Sequence, residues 1–379
     1  MKSLTIGSKT VSTAIVQGGM GVGVSRSGLA GAVAKCGGIG IISTAQIGYD
    51  EENFEKDQPG CNIKAIKKHI AKAKEIAGGN GLVGVNVMVA LKHYREHVQA
   101  AVQEGADLVV CGAGLPLDLP ELVKSAENDA PNDISKDTSK DTSKDALNKS
   151  EHHTYMAPIV SSGRAAELIL KRWDTKYSTT ADMLVVEGPK AGGHLGYKPD
   201  ELKDIENIDF DRIVKDVIEA KKPYEEKYGH SIPVVAGGGI CDSNGVKHIM
   251  ALGADGVQVA SRFVATKECD ATDAYKDAYV NAKEEDIVIV KSPIGMPGRA
   301  INNAFIKRVR LQKEPVKKCY LCLEKCNPTE VPYCITKALT DAVRGDTDNG
   351  LIFCGANAYK INKISTVEEV MKELSEGFR

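Results

Sequence analysis

The chain has 379 residues, 42% hydrophobic and 26% charged, an ordinary balance for a folded globular protein and one that argues against wholesale disorder. Lys and Arg number 49 against 51 Asp and Glu, so a net charge of −2 offers no field that would favour nucleic acid or an anionic membrane. No run approaches the ~18 apolar residues of a membrane span, and aromatics at 5% weaken any case for a base-stacking surface.

At the N-terminus, Met1–Thr10 carries Lys2 and Lys9 with no apolar stretch between them, unlike a secretory signal. The ten cysteines are therefore expected in a reducing, cytoplasmic setting, as thiols or metal ligands rather than disulfides. From there, short β-branched runs alternate with longer amphipathic stretches, the pattern of a parallel sheet covered by helices. Strands are predicted at Thr13–Gln17, Ile39–Ser43, Leu82–Met88, Asp107–Cys111, Met156–Ser161, Met183–Glu187, Ile232–Ala236 and Asp255–Ala260. Helices are predicted between them, among others at Ile63–Ala77, Tyr94–Glu104, Arg164–Arg172, Asp209–Tyr228 and Ser243–Ala251.

Eight alternations suggest a closed (β/α)8 TIM barrel over residues 1–265, with an open doubly wound sheet as the rival. Glycine placement separates the two. The chain has 37 glycines, above the usual ~7%, and they recur after nearly every predicted strand. Gly18-Gly19-Met20-Gly21, Gly112-Ala113-Gly114, Ser161-Ser162-Gly163, Gly188–Gly196 and Gly237-Gly238-Gly239 all follow this rule. A doubly wound fold concentrates its ligand loop after the first strand, whereas a barrel spreads such loops around one face.

Two segments depart from the alternation. Residues 126–153 contain Ser135-Lys136-Asp137-Thr138, repeated at Ser139–Thr142 and again as Ser143-Lys144-Asp145. So polar a repeat buries too little to offset its ordering entropy and is expected to be a disordered surface insertion. Residues 266–379 lack the alternation and are expected to form a mainly helical extension that caps the barrel mouth or lies beside it. That extension holds Cys319, Cys322, Cys326 and Cys334, a C-x2-C-x3-C run with a fourth thiol eight residues on. Clustered thiols suit zinc or an iron–sulfur cluster, but the spacing matches neither common pattern, and cysteine is also a good small core residue.

The residues themselves indicate a phosphate site. The run Pro233–Ala236 is a buried strand emptying into Gly237-Gly238-Gly239, where bare backbone can approach an anion with its N–H groups. One strand later comes Gly256–Phe263, and barrels commonly bind phosphate in the loops after strands seven and eight. After the sixth strand, the small-residue loop Ala191-Gly192-Gly193-His194-Leu195-Gly196 leaves an imidazole free to face the mouth, where neutral histidine can take a proton. The other seven histidines fall on helix faces or in the insertion and are assigned no chemistry.

Together, Ile15–Gly21, Gly84–Met88, Ala191–Gly196, Gly237–Gly239 and Gln258–Phe263 resemble the nitronate monooxygenase family over about residues 1–310, apart from the insertion. The resemblance implies an FMN-binding barrel. Met20, Gly21 and Asn86 would lie near the isoalloxazine, with Gly19, Gly192 and Gly193 completing the contacts and Ser161 reaching the ring. Gly237, Gly238, Ala260 and Ser261 would hold the phosphate, with Gln258 on the same side; Ala260 stands where that loop commonly has glycine. His194 would be the base that takes the α-proton of a nitroalkane or orients a nitronate already formed. Flavin-dependent enoyl-acyl-carrier-protein reductases share these motifs, so the small-molecule substrate is expected to be a nitronate or an enoyl thioester. A non-catalytic flavin barrel is a third reading, and a homodimer is an open expectation.

Overall fold

The computed structural model describes residues 2–129 and 153–379. Eight strands close into a parallel barrel: β1 (Ile15–Gln17), β2 (Ile39–Ser43), β3 (Leu82–Met88), β4 (Leu108–Gly112), β5 (Tyr155–Val160), β6 (Leu184–Glu187), β7 (Val234–Gly237) and β8 (Gly256–Val259). Val257–Val259 of β8 pairs with Ile15–Gln17 of β1, which closes the ring. After each strand comes a helix: α1 (Ser27–Lys35), α2 (Gln58–Ala77), α3 (Tyr94–Gln103), α4 (Leu119–Asn128), α5 (Gly163–Tyr177), α6 (Phe210–Tyr228), α7 (Ser243–Ala251) and a single turn, α8 (Ser261–Val264). The chain is a (β/α)8 barrel, as its alternation predicts.

Every predicted strand is present, with edges shifted by two residues at most. The helix boundaries differ by up to five residues: α5 runs on to Tyr177, and α2 begins five residues before the apolar periodicity does. Asp57 caps it by accepting the Gly60 N–H, and Pro59 sits in its first turn, where a missing N–H costs nothing. The insertion expected over 126–153 lies outside the described residues except at its edges: α4 runs to Asn128, and the Glu127 carboxylate accepts the Thr154 N–H at 2.9 Å.

Strand alternation sorts the core into two shells. Val83, Val85 and Val87 of β3 face the helices, with Val109, Leu184, Val186, Val234 and Val257 from other strands. The opposite set, including Val16, Ile41, Leu82, Val110, Ala157, Val185 and Val235, fills the lower barrel. A hairpin of Leu4–Ile6 on Lys9–Val11 plugs the base with Leu4, Ile6 and Val11. Tyr155 ties the hairpin to β5, its hydroxyl 3.0 Å from the Ser8 backbone N–H and hydroxyl.

The region after β8 contributes helices α9 (Asp273–Val280), α10 (Ala304–Leu311), α11 (Ile335–Val343) and α12 (Val367–Ser375). It also holds an antiparallel strand pair, Ile287–Lys291 with Pro297–Ile301, which the sequence pattern did not reveal. Because α8 is a single turn, α12 fills the outer ring between α7 and α1. It is anchored by a capping box of Thr366 and Glu369 and by an Arg262–Glu373 ion pair. The Asp270 carboxylate accepts the N–H groups of Arg26, Gly28 and Leu29, satisfying the start of α1 from the segment after α8. Asp270→Ala is expected to lower stability by about 2 kcal/mol in urea unfolding, since three N–H groups lose their acceptor at once.

Candidate active site

Above the apolar barrel interior, the next inward-facing residues of the strands form a floor of a different kind. Gly18 follows β1, Ser43 ends β2, and Asn86 and Met88 lie on β3; Gly112, Glu187, Gly237 and Gln258 continue the ring, with Ser161 just past β5. Their register is set by the barrel: Ser43 is level with Asn86, Met88 with Gly112, and Gly237 lies between Glu187 and Gln258. Glycine at three of these points leaves room where side chains would otherwise meet, and the result is a cavity of about 1390 Å³ at the C-terminal face of the strands. All thirteen residues singled out for cofactor or catalysis line it: Gly19, Met20, Gly21, Asn86, Ser161, Gly192, Gly193, His194, Gly237, Gly238, Gln258, Ala260 and Ser261.

At one end the backbone is bare. Gly238 and Gly239 have φ of +112° and +84°, conformations that turn successive peptide groups in a way L side chains resist. A Cβ at Gly19 would come 2.4 Å from that of Asn86, so only glycine lets the β1 loop pass over β3. The region after α11 completes this end. The Gly355 N–H donates to the Ser261 hydroxyl at 2.9 Å, the Ala356 N–H to the Lys190 carbonyl at 3.0 Å, and the Asn357 amide to the Gly239 carbonyl.

His194 is held from above. Gly193 and His194 form a short strand antiparallel to Arg299 and Gly298, so the late strand pair reaches back to the β6 loop. The Arg299 guanidinium is buried and donates to the Pro189 and Ala191 carbonyls, fixing that loop. His194 Nε2 lies 2.7 Å from the Ser292 hydroxyl, and the Phe353 ring packs edge-on at 4.9 Å. Desolvation lowers its pKa to about 4, so the imidazole is neutral at ordinary pH.

Glu187, the last residue of the predicted strand Met183–Glu187, carries no predicted role. Its carboxyl enters the floor with no hydrogen-bond or ion-pair partner among the described residues, and burial pushes its pKa up to about 8. The signal was present: it is the last residue of a barrel strand, where inward-facing groups meet the ligand. Lys190 also lines the cavity, paired with Glu206 at 2.8 Å.

The four late cysteines are not arranged as a metal centre. Among the described residues, no three His, Cys, Asp or Glu are grouped to hold a metal ion. Cys319 is exposed, Cys322 lines the cavity, and Cys334 precedes α11 as its N-cap residue. Among the described residues no helix is long and apolar enough to cross a membrane.

A family model described as nitronate monooxygenase matches residues 2–377. A probable nitronate monooxygenase of Staphylococcus aureus is 37% identical over 131 residues, a match spanning 34% of this chain and 34% of that protein, so the chain spans about a third of the length of this relative. Among solved structures, FabK from Thermotoga maritima superposes with a TM-score of 0.68 at 24% identity, covering 97% of this chain and 93% of that one. Nitroalkane oxidase from Streptomyces ansochromogenes gives a TM-score of 0.68 at 18% identity, covering 97% of each chain. At these identities the superpositions speak for the fold alone.

Proposed function

The chain belongs to the nitronate monooxygenase family, and on that premise we propose that it is an FMN-dependent oxidoreductase converting alkyl nitronates, with dioxygen, to a carbonyl compound and nitrite. The observation that carries the reading is His194: an imidazole neutral through desolvation, held by Ser292 and aimed into a cavity with a bare-backbone end.

The residues present fit FMN. Gly193 lines the cavity with open space where a Cβ would stand, and the positive-φ pair Gly238–Gly239 would supply backbone for a phosphate. Gly237, Gly238, Ala260 and Ser261 would take the phosphate end, while Gly19, Met20, Gly21, Asn86, Ser161, Gly192, Gly193 and Gln258 would border the ring. When bound, FMN supplies the acceptor for the substrate's electrons, and the protein supplies orientation and electrostatics.

The low basicity of His194 bears on the substrate. A base with a pKa of about 4 removes a carbon-bound proton from a neutral nitroalkane slowly, because general-base efficiency falls as the pKa leaves the working pH. A nitronate has already lost that proton. Toward it, neutral His194 needs only to orient, and Ser292 fixes the ring.

One observation favours a second reading. Glu187 retains its proton at neutral pH, and reduction of an enoyl thioester by NAD(P)H needs a proton donor at the substrate α-carbon. Anaerobic stopped-flow reduction with propyl nitronate, NADH or NADPH separates the two. Reduction by propyl nitronate is expected; reduction by the pyridine nucleotides alone would overturn the nitronate reading.

Two further outcomes are expected. His194→Asn should retain FMN, judged by the flavin spectrum, and should lower kcat/KM for preformed propyl nitronate by about 10-fold or more, since the group that orients the nitronate is lost. Because the His194 pKa is depressed to about 4, its neutral form is complete above about pH 5 and is lost only as pH falls through 4. With preformed propyl nitronate, the pH profile of kcat/KM should show no break near 6.5, and a break there would place an ordinary histidine in the mechanism.

A further inference from the structure

The cavity, about 1390 Å³, has a lining that is not uniform along its length. Opposite the bare-backbone end, beyond β3 and β4, the wall is apolar: Met88, Leu91, Leu115, Leu323, Ile335 and Leu339. They come from the end of β3 and the loop after it, from the β4–α4 loop and from the late segment 323–339, which is joined to the first. Leu91 pairs with Leu323 in an isolated bridge, flanked by hydrogen bonds from Lys92 N–H to the Cys322 carbonyl and from Glu324 N–H to the Ala90 carbonyl. Ile335 and Leu339 lie one turn apart on α11.

The β4–α4 loop brings this wall to solvent. Ala113 and Gly114 have φ of +53° and +136°, and a Cβ on Gly114 would sit 2.9 Å from the Val89 side chain. The conformation leaves Leu115 42% exposed at the rim, one of only four large hydrophobic side chains exposed among the described residues. A non-glycine residue at positive φ, spent on displaying a leucine beside a cavity, marks a loop shaped for a ligand. The loop is otherwise secured: the Trp173 indole N–H donates to the Pro116 carbonyl at 2.9 Å.

We propose that this apolar arm receives an unbranched hydrocarbon tail, so that the substrates are straight-chain compounds longer than propyl, with the reacting group beneath His194 and the tail running along Met88, Leu91 and Leu339 toward Leu115. The inference rests on the proposed function only in taking the reacting end to be a nitronate.

n-Alkyl carboxylates from propanoate to decanoate are planar two-oxygen anions that imitate the nitronate head without reacting. Their binding to the purified holoprotein can be followed by the emission of Trp173, the single tryptophan of the chain, which is bonded to the residue after Leu115. Affinity is expected to rise about three- to fourfold per added methylene until the arm is full, with kcat/KM for the matching nitronates rising in step. Leu115→Ser, at an exposed position, should reduce the decanoate-to-propanoate affinity ratio at least fivefold, and Leu339→Phe should shorten the chain length at which affinity stops rising. Affinity that is flat along the series, or a ratio that neither substitution changes, overturns the proposal. If carboxylates bind with the expected slope but no nitronate is oxidised, the arm stands and the nitronate reading falls. Flat binding beside active oxidation overturns the arm alone.

Discussion

One buried guanidinium holds the site in its working shape. Arg299 lies out of water with no carboxylate in ion-pair contact among the described residues, and donates instead to the carbonyls of Pro189 and Ala191. A buried charge is tolerated only where its hydrogen bonds are made, and charge-assisted bonds to backbone are strong enough to hold an irregular loop. The loop so held is the one bearing His194, and Arg299 also pairs with Gly193 across the late strand. The histidine's aim, the cover given by Phe353 and the reach of Ser292 all follow from that attachment. Residues after the barrel therefore build the site; they do not merely cover it.

The barrel divides by height for a simple reason. Below, the inward positions are Val, Ile, Leu, Ala and Met with Tyr155, packed against the N-terminal hairpin. Above, the same positions turn to glycine and to Ser43, Asn86, Glu187 and Gln258. The lower layer supplies the apolar burial that stabilises a closed sheet, and the upper layer leaves the axis open. Desolvation acts oppositely on the floor carboxyl of Glu187 and on the imidazole of His194 above it: it keeps the proton on the first and keeps one off the second. Acid and base roles then fall to groups whose environments set them apart.

Local chemistry fixes much of what the chain pattern predicts. The β-branched runs of β2 and β3 are bounded by glycine-rich or polar segments, so both strands were legible to the residue. The glycines after β1 and β7 and the small-residue loop around His194 marked one face of the barrel before any contact was known. Asp57 and Pro59 were equally legible as a helix start, but the periodicity of α2 begins only at Ile63 and drew the boundary late. The strands Ile287–Lys291 and Pro297–Ile301 were not legible, because their pairing with each other and with Gly193–His194 is tertiary. The four clustered thiols suggested a metal that the fold does not arrange them to hold.

Sequence alone therefore determined the eight-fold alternation, the face on which the cavity opens and thirteen of the residues that line it, since period and glycine are local properties of the chain. Tertiary structure decided the rest. It set α12 into the gap left by a one-turn α8, joined Leu323 to Leu91 to make an apolar wall, and enclosed Glu187 and His194 so that both are neutral. Each of these depends on which distant segments exclude water from one another, and no pattern along the chain encodes that.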